Sequence, residues 1–352
     1  RALSKYLIIY LVIILIEMIY SGIAYGYNIV QLLIITRKYF YVCYSYPIVY
    51  IFTMDDDMYK FTKTICWTSM FLLGIKFITW YLYNFKGMTV FSGLLFQYSE
   101  GWTRNGFMRM DTGALFGIVL CVTLYYCFVK KQLLYWLVLA FLYVYLIFVT
   151  QYRFQIIVTI VLTAYGYYCS TDSNRKNVKL MAISFIIIAF VLFGGLDYIL
   201  NLFSLNGMDG GSTAARLLTI DHYWSLIKEK DAILGVGFLS AYTNKAFSIL
   251  RRSDTDRFWL EDLGILGGIF TFGILSLLLY GKLFFDSMKR TFASHRIRKI
   301  EGGDDCLEKC VVVYMILSCI LLNIFDAQRI WCMPFYLSVI YFVQNPPKTQ
   351  KQ

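Results

Sequence analysis

Arg251-Arg252-Ser253-Asp254-Thr255-Asp256-Arg257-Phe258-Trp259-Leu260-Glu261-Asp262 closes a polar interval that opens near Asp197. The same interval holds Arg216, Asp221, His222 and Lys228. On either side the chain turns to Leu, Ile, Val, Phe and Tyr, in runs that approach membrane length. A helix needs roughly 20 apolar residues to cross a bilayer. Charged groups collected between such runs, and the membrane rim facing them, are where chemistry is expected.

Composition points the same way. Of 352 residues, 59% are hydrophobic and 16% charged, with a mean hydropathy of +0.60. Soluble domains carry roughly 25% charged residues, so the chain belongs with membrane proteins. Its net charge is +11. The excess lies mainly in short loops between apolar runs, where it sets topology and needs no nucleic acid to explain it. None of the nine cysteines falls within 197–262, which excludes a disulfide framework there. No Cys-x-x-Cys spacing suggests a metal, and small buried hydrophobes are the simpler reading. The chain begins at Arg1, and its long first apolar run has no small-residue cleavage motif, so no cleavable signal peptide is read.

The apolar runs cover about 6–20, 23–36, 64–83, 112–129, 133–150, 154–169, 180–196, 263–285, 311–325 and 331–343. Residues 39–53, rich in Tyr and broken by Pro47, are open between a further span, a re-entrant piece and an interfacial helix. This predicts an all-α polytopic membrane protein of about ten transmembrane helices. It reads as one integral domain over 1–352, with 197–262 as a large extracytoplasmic loop containing short interfacial helices. The basic loops at 130–131, 172–179 and 286–300 and the basic tail suit the cytoplasm. Parity then puts 84–111, 151–153, 197–262 and 326–330 outside.

Within the loop, Leu217, Leu218, Tyr223, Trp224, Leu226 and Ile227 recur at helical spacing after Arg216. Gly235 and Gly237 in Asp231-Ala-Ile-Leu-Gly-Val-Gly237 suit a tight turn. Arg153 stands at the outer mouth of a helix. It either snorkels to the interface or clamps a phosphate, whose oxygens a guanidinium fork binds bidentately. Arg251, Arg252 and Arg257 are interleaved with Asp254 and Asp256, as a salt-bridged patch or an anion site. Asp256, Glu261 and Asp262 stand where the loop re-enters the membrane. There a carboxylate is either a helix-capping charge or a partly desolvated general base. His222 is the reserve base, beside Asp221. Glu17 and Lys76 are ionisable groups within helices and are candidates to pair with each other. Arg104 and Arg109, with Glu100 and Asp111, line a second outer loop.

Three short motifs in this setting resemble the O-antigen and capsular polysaccharide polymerase family, which is related to the O-antigen ligases. They are Gln151-Tyr152-Arg153-Phe154, then Arg216 with Trp224 and Leu234-Gly235-Val236-Gly237, then Asp256 with Glu261-Asp262-Leu263-Gly264-Ile265-Leu266-Gly267. The resemblance implies a metal-independent, cofactor-free membrane glycosyltransferase of the GT-C type. Its donor would be a glycan on undecaprenyl diphosphate and its acceptor a hydroxyl of a lipid-linked repeat unit. A flippase and a chain-length regulator would be partners in the bilayer. Carried over, Arg153 and Arg216 would form the donor clamp. Ser253-Asp254-Thr255-Asp256 stands where the ligase branch has a His, which favours a polymerase over a ligase. A lipid-linked oligosaccharide transporter, a peptidoglycan-type polymerase and an assembly protein are the other readings.

Overall fold

The computed structural model describes residues 2–55, 58–91, 103–104, 106–113, 115–170, 210–229, 232–252, 257–301, 306–320 and 329–342. The helix expected over 180–196, the basic stretch 172–179, Glu100, Asp254, Asp256 and Asp326 lie outside the described residues.

The chain is mainly helical. In order come α1 (Ala2–Tyr25), α2 (Ile29–Thr36), a 3-10 helix (Arg37–Tyr44), α3 (Ser45–Asp55) and α4 (Met58–Lys86). A two-residue strand β1 (Thr103–Arg104) pairs antiparallel with β2 (Phe107–Met108). Next are α5 (Phe116–Phe128), α6 (Leu133–Val144) continued by a π-helical turn (Tyr145–Thr150), and α7 (Arg153–Cys169). Then follow α8 (Gly210–Glu229), α9 (Asn244–Leu250), a 3-10 turn (Leu260–Leu263), α10 (Ile265–Phe272) and α11 (Leu275–Glu301). The chain closes with α12 (Cys306–Ser318), a 3-10 turn (Ile330–Cys332) and α13 (Met333–Phe342). Among the described residues, Leu3–Tyr25, Lys60–Lys86 and Leu133–Thr150 are long and apolar enough to cross a membrane.

Two apolar runs differ from expectation. The run over 23–36 is no separate span. α1 continues to Tyr25, Gly26 turns the chain at φ 70°, and Asn28 with Gln31 forms a capping box for α2. Eight residues rise only about 12 Å, against a bilayer core of roughly 30 Å. Likewise 263–285 is not one helix. It breaks at Gly273, where φ is 55°, between α10 and α11. The ambiguous 39–53 segment becomes the 3-10 helix and α3, and α3 alone, at eleven residues, is too short to span.

Contacts divide the chain into two compact units. The first comprises 1–48, 173–290 and 318–341, and the second 49–172, 291–317 and 342–352.

In the first unit, the helix break and the glycine turn satisfy each other. Val236 N–H donates to Phe270 O at 2.8 Å, Gly237 N–H to Thr271 O at 2.9 Å, and Ile274 N–H to Ala232 O at 3.2 Å. A helix interrupted within an apolar run exposes backbone groups that need partners, and the turn supplies them. Gly235 and Gly237 have φ of 66° and 69°, as the sequence predicts for a tight turn. Side chains from the end of α1 and the residues after it hold the turn's other edge. Tyr25 OH donates to Val236 O at 2.5 Å, Tyr20 OH to Gly235 O at 3.3 Å, and Ser21 Oγ accepts from Phe238 N–H at 2.8 Å. Tyr27 OH accepts from Ser240 N–H at 2.9 Å. Buried Tyr223, Val236, Leu263 and Phe270 form the apolar core beneath.

The second unit is built around α5, which is buried over almost its whole length. Gly117 is required there because a Cβ would enter the Tyr314 ring, whose hydroxyl accepts from Gln155 Nε2 at 2.8 Å. Seven of the nine cysteines are buried. Cys310 Sγ, for example, would stand 3.5 Å from a Cβ at Gly166. Cys43 is exposed.

Candidate functional site

The second unit gathers three of the arginines that the sequence singles out. α6 passes through its π-helical turn and stops at Gln151, which takes a left-handed conformation (φ 54°, ψ 31°). α7 begins two residues later with Arg153. The β1–β2 hairpin folds over this joint. Arg104 Nη1 donates to Gln151 O at 2.8 Å, and the Arg109 guanidinium lies 5.9 Å from the centre of the Tyr152 ring. The hairpin thus brings Arg104 and Arg109 to the joint at which Arg153 opens α7. The hairpin is pinned from α4, where Trp80 Nε1 donates to Met108 O at 2.8 Å and Asn84 Oδ1 accepts from Met108 N–H at 2.8 Å. Met110 N–H reaches Val149 O at 3.1 Å.

Lys76 closes the same end. It pairs with Asp111 at 2.5 Å, and Tyr145 OH donates to the Asp111 carbonyl at 3.0 Å. Pairing with Glu17, considered from the sequence, is not what forms. Fixed guanidinium groups beside the amino-terminal N–H groups of α7 favour an anion at this joint.

The first unit holds Arg216, His222, Arg251, Arg252, Arg257 and Glu261. The expected helix forms as α8, though Leu217, Leu218 and Trp224, expected on its apolar face, are exposed; Arg216, Thr219 and Tyr223 share one face by their spacing. Thr219 and Tyr223 are buried. Arg216 is partly buried, and its Nε is enclosed without an acceptor among the described residues. A buried donor left in this way gains from an anionic ligand.

His222 is engaged structurally. Its ring stacks on Phe258 at 4.0 Å and 12°, and Nε2 lies 2.9 Å from Ile249 O. A carbonyl only accepts, so Nε2 carries the proton and is not the nitrogen of a free base. Arg251 and Arg257 face each other across an antiparallel bridge, with Phe258 N–H donating to Leu250 O at 2.8 Å. Arg251, Arg252 and Arg257 are all exposed, and Arg257 lies 5.6 Å over the Phe247 ring. The bridge thus brings two positive charges together, while Asp254 and Asp256 lie outside the described residues.

Glu261 and Asp262 form the first turn of the short 3-10 segment, not of α10, from which Gly264 (φ 59°) separates them. Glu261 is partly buried and Asp262 exposed. Burial lifts the Glu261 carboxyl above the usual carboxylate range. Asp262 adds to the lift, while Lys38 and Arg329 oppose it. A partly buried carboxyl of this kind, influenced by two cations, is a candidate proton acceptor.

Sequence reading missed Lys38 and Arg329 as neighbours of Glu261, and it missed the break at Gly273. The glycines at 267, 268 and 273 were the available signal for the break; nothing local signals the approach of Lys38. Arg153 belongs to the second unit and Arg216 to the first. No family model, curated protein or solved structure matches this chain.

Proposed function

We propose that this chain is a polysaccharide polymerase in the cell membrane, acting at its outer face. The donor is a glycan on undecaprenyl diphosphate and the acceptor a hydroxyl of a lipid-linked repeat unit. The observation that carries this reading is that the hairpin brings Arg104 and Arg109 to the joint at which Arg153 opens α7. In the reaction, the acceptor oxygen bonds to the anomeric carbon as the bond from that carbon to the diphosphate oxygen breaks. The bond's electron pair leaves with the diphosphate, whose growing charge the arginines stabilise. The hydroxyl proton passes to a carboxylate. Glu261, Asp256 and Arg216 belong to the first unit and are tested separately from these arginines. The test is glycan length in cells. Arg153→Ala is expected to express normally and to lose long chains; wild-type chain lengths would refute the clamp.

One observation favours a second reading, a proton-coupled transporter of lipid-linked oligosaccharides. Glu17 lies within the Leu3–Tyr25 span, fully buried, and neither carboxylate oxygen has a hydrogen-bond partner among the described residues. Acids in such positions commonly serve proton or ion pathways. Glu17→Gln separates the readings. Retained elongation fits the polymerase, whereas loss of proton-driven glycan transport in proteoliposomes fits the transporter.

A further inference from the structure

The 3-10 helix Arg37–Tyr44 has two unlike faces. Tyr39 and Val42 are buried, with the Tyr39 ring 4.9 Å from that of Phe238 and its carbonyl accepting from Tyr10 OH at 3.2 Å. Arg37, Lys38, Tyr41 and Tyr44 are exposed. The helix packs beside the 3-10 turn Ile330–Cys332. Between them lies an open cleft of about 310 Å³, lined by Tyr41, Tyr44, Ile48, Trp331, Pro334 and Phe335. Every lining residue belongs to the first unit.

The chemistry of this cleft selects its occupant. Its walls are almost wholly apolar, and Tyr and Trp are the side chains that settle where a membrane meets water. The cleft has room for part of one hydrocarbon chain, near the small end of the range for ligand pockets. Two exposed cations stand on the same short helix, one turn from Tyr41, and Lys38 is near enough to influence Glu261. Exposed Lys and Arg beside a bilayer draw anionic lipid headgroups.

We propose that this cleft is a binding site for one anionic phospholipid, with its chain along Tyr41, Tyr44 and Trp331 and its phosphate on Arg37 and Lys38. The site is separate from the arginines assigned to the diphosphate and does not depend on the polymerase reading.

The experiment uses the whole protein in nanodiscs of phosphatidylcholine, with brominated phosphatidylglycerol or brominated phosphatidylcholine added at equal mole fraction. The Trp331 signal is the difference between wild type and Trp331→Phe, because the chain has seven tryptophans. Brominated phosphatidylglycerol is expected to quench that signal more strongly. Lys38→Gln, at an exposed position, should reduce the preference about fivefold. Equal quenching by the two lipids would mean ordinary lipid contact and would overturn the proposal. So would a preference that survives unchanged in both Arg37→Gln and Lys38→Gln, each checked for an unaltered melting temperature.

Discussion

Gly235 and Gly273 touch backbone to backbone. A Cβ on Gly235 would enter Phe270 O and Gly273 N, and a Cβ on Gly273 would enter Ile233 O, Ala232 O and Gly235 N. Both residues also have positive φ. The broken helix and the loop turn are therefore one structural unit, although they lie almost forty positions apart along the chain.

Gly273→Ala should accordingly be among the most damaging single-methyl changes in the protein. The Gly273 backbone (φ 55°, ψ −140°) lies in a region that only glycine occupies readily and that costs another residue roughly 1–3 kcal/mol, before the backbone overlap is counted. Gly281 is the control, since it lies in α11 and a Cβ there meets nothing within 4 Å. Gly281→Ala should be neutral or stabilise by up to about 1 kcal/mol. Melting curves in detergent check the pair, and equal losses would contradict the account of the break.

The anchor from α1 gives a graded series. Tyr25→Phe removes the donor to Val236 O and should cost about 0.5–1.5 kcal/mol. Ser21→Ala leaves the Phe238 N–H without its acceptor, a loss of about 1–3 kcal/mol. Hydrogen exchange at residues 235–238 should rise in both variants, and more in Ser21→Ala. Unchanged exchange would mean that α1 does not hold the turn.

Glu261 carries a pH dependence of definite sign. Its folded pKa is raised, chiefly by burial, above an unfolded value of about 4.3. The folded state therefore binds the proton more tightly than the unfolded state. The stabilisation is fully present below the unfolded pKa and is lost as pH rises through the folded one. Glu261→Gln should thus gain on wild type in melting temperature as pH climbs above about 4, and then run parallel to it. A constant offset at every pH would contradict the assignment. If Glu261 also accepts the acceptor's proton, the same substitution abolishes transfer while donor binding persists.

Arg104 tests whether the hairpin positions the joint or binds the anion itself. Arg104→Ala removes the bond to Gln151 O, whereas Arg104→Lys keeps the charge without the planar fork. If Arg104 only positions the turn, donor affinity falls modestly and similarly in both variants. If it contacts the diphosphate, Arg104→Ala should weaken donor binding about tenfold or more, with partial recovery in Arg104→Lys. The second outcome is expected, read by titration with labelled lipid-linked donor.

Much of this was legible from residue pattern alone. The periodicity after Arg216 produced α8, and Gly235 with Gly237 produced the turn. Both signals are local, because side-chain spacing and positive φ act within a few residues. Arg153 was also readable as the first residue of a helix. Arg104 and Arg109 read only as part of a second outer loop, because a hairpin that folds back over a helix joint leaves no local mark. Apolar runs misled twice. Hydropathy counts residues and does not see whether the helix persists, so Gly26 and Gly273 each turned an expected span into shorter pieces. Lys76 was the third case. As an intrahelical charge it called for a partner, and the sequence could not choose between Glu17 and Asp111.

Elongation with purified components tests the central claim most directly. The protein, reconstituted in vesicles, is given undecaprenyl-diphosphate-linked repeat units extracted from the membranes that contain it. The account predicts a ladder of lengthening glycans from the wild type and only single repeats from Arg153→Ala. Failure of the folded wild type to join any two units, or an undiminished ladder from Arg153→Ala, would contradict it.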